Sequence, residues 1–358
     1  MTRIAAILLA TASCWAEEGA QPSKKADLSQ MPADVHAPLF RSPKSQQAGN
    51  VTDRLLADKP AAGAAGKIAH RNFIDKHIFG KMERDRVRHA PLATDEEFFR
   101  RVTLDLTGRI PTPADRQEFL DDNSPDKRSK LIDKLVGSPA FVDKWAYFLM
   151  DTFRANGKMM RGVSLFHNML KDSLAADRPY NDLAASIMAA SGKSNYVVAA
   201  ANPIVREHVE GKPGEANGPD DLSKIHQMDT HDELGILFAK VFLGINISCI
   251  ACHDGQAHLE KVNVYLAGKR RSDFFRFAAF MGNTRYIPHV EGKEAKMGHF
   301  TVDDNAPGYD TKGESMLRVK RFGGPNDPKF ILTDEKPKPG LAPREELGRL
   351  LTEHPQFA

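Results

Sequence analysis

Apolar positions recur at helical spacing over most of this chain, and capping residues, glycines and prolines mark the breaks between runs. From about Ile68 the pattern is that of short amphipathic helices. Thr94-Asp95-Glu96-Glu97 is a capping box, in which a hydroxyl and a carboxylate each satisfy an orphan backbone N–H. Phe98, Phe99, Val102 and Leu106 form the following stripe, and Gly108 can adopt the left-handed conformation that ends a helix. Thr112-Pro113, Ser124-Pro125 and Ser138-Pro139 each place a cap residue before a proline at the first helical position. Behind them run Phe119/Leu120, then Leu131/Ile132/Leu135 with Gly137 as a stop, then Phe141/Val142/Trp145/Leu149. Two more helices are predicted around Leu165–Leu174 and Leu183–Met188.

Residues 193–229 read as a long polar loop containing Pro203, Gly211, Pro213, Gly214, Gly218 and Pro219. Thr230-His231-Asp232-Glu233 is a second capping box, with Leu234, Leu237, Phe238 and Val241 at helical spacing and Gly244 as a stop. A basic-apolar segment covers Leu259–Met281. After Gly292 short strand-like runs (His299–Val302, Leu317–Lys320, Phe330–Leu332) alternate with turn residues, and a last helix begins at Pro343. The expected fold is mainly α: an array of short helices over 65–290, a small irregular β-rich extension over 291–340, and the start of a further helical domain over 341–358. No internal repeat is present.

The first 64 residues differ in texture. Arg3, the apolar run Ile4–Ala12 and Cys14-Trp15-Ala16 have the three parts of a signal peptide over 1–16. Residues 17–64, rich in Ala, Pro, Gln, Ser and Lys, read as a disordered tether. The expected location is therefore outside the cytoplasm, in the periplasm or at the cell surface. No other stretch is apolar enough to cross a bilayer, so the mature chain is expected to lack a transmembrane segment. The balance of 50 Lys+Arg against 47 Asp+Glu in 358 residues gives a net charge of only +3, which argues against nucleic acid as a partner.

Of the 3 cysteines, loss of 1–16 removes Cys14 and leaves 3 − 1 = 2, both in Cys249-Ile250-Ala251-Cys252-His253. This is CxxCH, the attachment pattern of c-type haem. Two thiols three apart can add to the two vinyl groups of one porphyrin, and the adjacent imidazole is then placed as the proximal iron ligand. Cys249 and Cys252 are the expected attachment points and His253 the expected ligand. The distal ligand is open among His258, Met281, Met297, His299, His208, His226, Met228 and His231, or is absent. Rival readings are a redox dithiol, which wants a strand before it and a helix after it, a zinc site of Cys249, Cys252, His253 and His258, and a structural disulfide. Lys269-Arg270-Arg271 reads as a solvated helix face, and Asp220-Asp221 and Asp303-Asp304 as turn residues. No nucleophile elbow, phosphate loop or metalloprotease motif appears, so no catalytic constellation is assigned.

The chain resembles the secreted, cytochrome-like PSCyt-type domain of unknown function found in planctomycetes and acidobacteria. The resemblance rests on Phe99-Arg100-Arg101-Val102-Thr103-Leu104-Asp105-Leu106-Thr107-Gly108 with Pro111-Thr112-Pro113, on Leu135, Ser138-Pro139 and Trp145, and on Phe242-Leu243-Gly244 leading into Cys249–Asp254. It covers roughly residues 68–290. It implies an exported helical domain with a CxxCH, usually followed by a second domain, whose opening Arg344-Glu345-Glu346-Leu347 and His354-Pro355 resemble. The family often has a His two residues after the motif; here Gly255 stands there. The expectation is an exported haem c protein acting in electron transfer, or as the redox module of a larger envelope assembly. It would need redox partner proteins and the cytochrome c maturation machinery. The alternative is a non-haem envelope binding or scaffold module whose cysteines form a disulfide or hold zinc.

Overall fold

A computed structural model describes residues 70–210, 222–291 and 296–357, together with isolated positions 47 and 50. The expected leader and nearly all of the expected tether lie outside the described residues, as does Asp220-Asp221. The described residues form twelve α-helices and two small two-stranded sheets, a mainly α fold. In chain order the first seven helices are α1 (Phe73–Arg84), α2 (Asp95–Thr107), α3 (Pro113–Asp121), α4 (Lys127–Leu135), α5 (Pro139–Thr152), α6 (Gly162–Ala175) and α7 (Tyr180–Met188). Then follow α8 (Asn202–Arg206), α9 (Ser223–Leu243), α10 (Val264–Ala267), α11 (Arg271–Ala278) and, after the strands, α12 (Pro343–Glu353). β1 (Arg285–Glu291) pairs antiparallel with β2 (Lys296–Asp303), and β3 (Lys312–Gly313) with β4 (Arg321–Phe322).

The punctuation of the first helices follows side-chain chemistry. Thr94 and Glu97 form both halves of the capping box on α2, and Gly108 ends that helix at φ 68°. Thr112 and Ser138 each accept from the backbone N–H three residues on, with proline at the first helical position. At Ser124-Pro125 the expectation differs: α4 starts two residues later, behind Asp126, and Ser124 Oγ is buried without a partner.

One hydrophobic core runs from Ala146 on α5 to Leu351 on α12. Phe153 packs edge-on against Phe166 at 5.4 Å and against Phe242 at 5.8 Å, joining α6 and α9 at its centre. Helices α2, α3 and α4 stand beside it as a small bundle, with Phe99 and Phe119 stacked 5.0 Å apart.

Three expectations are corrected here. The long loop at 193–229 contains helix α8, whose Asn202–Val205 are buried, and α9 begins at Ser223 rather than at Thr230. Thr230 is thus inside a helix; its hydroxyl donates to His226 O and accepts from Val209 N. Leu317–Lys320 and Phe330–Leu332 are bends and turns, whereas β1 occupies 285–291, within the stretch read as helical up to 290. Helix α12 is no separate unit: Leu347, Leu350 and Leu351 are buried in the common core, and Arg344 donates to Met188 O on α7 and to both Asp304 carboxylate oxygens.

Candidate haem-attachment site

Helix α9 delivers the motif. Fifteen of its 21 residues are buried, so its position is fixed on nearly every side. Gly244 ends it at φ 66°, and Ile245 and Ile247 then anchor the chain in the core. Residues 249–253 form a single turn, closed by Cys252 N–H to Cys249 O at 3.1 Å and His253 N–H to the same oxygen at 3.3 Å. Ile250 and Ala251, the two intervening residues, point into the core and leave Cys249, Cys252 and His253 half-buried at its edge. Both thiols are free. Burial, together with the neighbouring Cys252 sulfur, pushes the Cys249 thiol above its ordinary pKa.

His253 Nδ1 lies 2.7 Å from Asp254 O. A donated Nδ1–H there fixes the tautomer and leaves the lone pair on Nε2, as metal-ligating imidazoles generally require. The His258 ring sits 4.8 Å from that of His253. This places it beside His253, not across from it.

The turn is clamped by a residue that sequence reasoning set aside. Arg271, read as part of a solvated basic face, is buried; its Nε donates to Ala251 O at 3.1 Å and its Nη2 to Lys320 O at 3.1 Å. Its backbone N–H donates to Asp254 Oδ1 at 2.8 Å, so the residue after the motif caps α11. The guanidinium lies over Phe275 (5.3 Å) and over Phe322 (4.7 Å), which is 62% exposed. Gly255 N–H donates to Lys269 O, and a Cβ at Gly255 would lie 1.8 Å from Leu266 O. Only glycine fits there.

Behind the motif, α9 carries Asp229, Asp232 and Glu233 on one face. Arg321 Nη2 binds Asp229 Oδ1 at 2.7 Å and Asp232 Oδ2 at 2.5 Å, all fully buried. The Tyr309 hydroxyl donates to Asp232, Ser315 Oγ and Met316 N–H donate to Asp229, and Arg318 pairs with Glu233. Burial pushes Asp232 upward against the pull of Arg321 and Tyr309. Residues 309–322 are thereby tied to α9 beside the motif. Sequence reading missed this network because it placed Thr230–Glu233 at a helix start; continuing the helix back to Ser223 would have set Asp229, Asp232 and Glu233 at i, i+3 and i+4.

The other candidate ligands are engaged elsewhere. His231 is fully buried, with Nε2 2.8 Å from Thr284 O, and burial lowers its pKa to about 4. Met228 Sδ accepts from Asp310 N–H, Met281 lies in the core, and His226 is buried on α9. His208 stacks on Tyr286 at 4.6 Å, and His299 on His289 at 4.5 Å. The Met297 side chain lies outside the described residues. No group of three or more His, Cys, Asp or Glu side chains among the described residues is placed to hold a metal ion, and no described helix is long and apolar enough to cross a membrane.

A family model described as PSCyt2, protein of unknown function (DUF1549), matches residues 73–286. The chain belongs to this family. The match spans α1 to the start of β1 and includes the 249–253 turn. No curated protein and no solved structure matches the chain.

Proposed function

We propose that this PSCyt2 protein is an exported c-type haem protein, acting in electron transfer or as the redox module of a larger envelope assembly. The observation that carries the reading is the 249–253 turn: two free thiols three apart and a histidine held through Nδ1, all at the core edge. Cys249 and Cys252 would hold the porphyrin through thioethers, and His253 Nε2 would take the proximal position. In each attachment a thiol S–H adds across a vinyl C=C, so no electrons are gained or lost. Bound haem would supply a one-electron couple. The chain's own residues hold this frame: Arg271 fixes the Ala251 carbonyl, Asp254 fixes the His253 ring, and Gly255 lets the chain turn against 266–269. Export through the expected leader matches the compartment in which such thioethers are made.

A redox dithiol is disfavoured on two grounds. The motif follows a helix where that chemistry uses a strand, and Cys249 is shifted away from the thiolate that a reactive dithiol needs. The test is the visible spectrum of the chain co-expressed with a cytochrome c maturation system. A Soret band that survives acid-acetone extraction, and that Cys252→Ala weakens or abolishes, supports the proposal. A colourless protein with blocked thiols or stoichiometric zinc would establish the scaffold alternative instead.

A further inference from the structure

Strands β3 and β4 pair Lys312 with Phe322 and Gly313 with Arg321, so residues 314–320 are the tip of a hairpin. The tip has no regular structure, yet it is held at its base and at its apex. Arg321 Nη1 donates to Glu314 O across the base. Ser315 Oγ accepts from the backbone N–H groups of Leu317 and Arg318, which curls the apex into a turn. The same hydroxyl and Met316 N–H donate to Asp229 on α9, and Arg318 pairs with Glu233 one turn further along that helix.

This tip stands beside the 249–253 turn. One guanidinium, that of Arg271, donates to Ala251 O in the turn and to Lys320 O at the end of the tip. Phe322, two residues on, lays its ring over that guanidinium. Burial works against the charge on Arg318, but Glu233, Asp232 and Cys252 lie close enough to hold its pKa above the ordinary value.

The side chains that this fixed backbone presents are apolar and uncovered: Met316 is 55%, Leu317 50% and Phe322 62% exposed. Ordering such a segment costs conformational entropy that its own burial does not offset. A flat apolar ring system laid against the turn would cover it. Among the methionines with described side chains only Met160 and Met316 are exposed, and Met160 precedes Arg161, whose N–H donates to the Tyr196 hydroxyl at the start of α6. Met316 is thus the exposed thioether on the segment that walls the motif, and a thioether is a soft neutral donor suited to haem iron.

We infer that Met316 is the distal axial ligand of the haem proposed above, with Leu317 and Phe322 covering the porphyrin beside it. The inference rests on the haem reading and fills the one iron position which that reading leaves open. Asp229 is then a positioning residue, acting through the Met316 backbone N–H.

The test uses the full chain matured with haem. Ferric haem with imidazole and thioether ligands has a weak charge-transfer band at the red end of the visible spectrum. That band is expected in wild type and in Met160→Leu, and is expected to vanish in Met316→Leu, which removes the sulfur at nearly constant volume. Met316→His keeps a sixth ligand and should lower the reduction potential, because a thioether opposite histidine raises it. Chloramine-T oxidation read by peptide mass is a second measurement. Met160 and Met316 should both oxidise in the Cys249→Ala/Cys252→Ala chain, whereas in the matured chain Met316 should oxidise about tenfold more slowly or less. A matured chain that lacks the band, or whose spectrum and potential ignore Met316→Leu, overturns this assignment and leaves the haem reading standing. A chain that takes up no haem overturns both.

Discussion

Gly255 shows how closely the candidate site is fitted at the scale of one residue. With Leu266 O only 1.8 Å from an added Cβ, Gly255→Ala must displace backbone, not a flexible side chain. We expect a loss of about 2–3 kcal/mol in denaturant unfolding, within the range seen for overpacking. A neutral outcome would mean that the 254–259 turn can shift freely. His231 offers a pH test. Its ordinary pKa of 6.5 falls to about 4 in the folded chain, because burial disfavours the imidazolium. Its contribution is complete above pH 6.5 and is lost as pH falls towards 4, since the unfolded chain takes up the proton first. The loss approaches about 3 kcal/mol. Asp232, pushed upward, acts in the opposite sense, so the quantity to measure is the difference between wild type and His231→Gln from pH 7 to pH 4. That difference should shrink with falling pH; a constant difference would contradict the neutral buried imidazole.

At the scale of elements, the network on α9 is the feature with most at stake. Arg321→Met would leave Asp229 and Asp232 buried without their cation, and a loss of about 3–5 kcal/mol is expected in chemical denaturation. On α2, Thr94→Ala removes one half of a capping box and should lower stability by only about 1 kcal/mol. These two elements also show what local sequence can reveal. The start of α2 was legible because its cap is exposed and its apolar stripe faces one way. The start of α9 was not, because the helix is buried on almost every side, which erases the contrast between faces that marks an amphipathic helix. Thr230-x-x-Glu233 has the spacing of a cap but lies within the helix, where tertiary burial outweighs the local preference. Arg271 was passed over for a related reason: nothing in Lys269-Arg270-Arg271 distinguishes the arginine that turns inward to the Ala251 and Lys320 carbonyls.

For the whole molecule, the mainly α architecture was legible from helix periods and caps, whereas the assignment of segments to one core was not. Residues 341–358 read as the opening of another domain, yet α12 buries Leu347, Leu350 and Leu351 beside α7, through contacts more than 150 residues apart such as Arg344 to Met188 O. Pairings of that range leave no local period. The candidate site was legible to the extent that covalent spacing defines it: Cys249, Cys252 and His253 were named by the motif alone. Its clamp, its obligatory glycine and the buried ion network behind it arise from residues distant in sequence. The central claim is that the two half-buried thiols of this turn carry haem, and intact mass spectrometry of the matured chain tests it most directly. The account predicts a mass increase of one haem, retained under denaturing conditions and absent from the Cys249→Ala/Cys252→Ala double variant. An unmodified mass from a strain that matures a control cytochrome would contradict it.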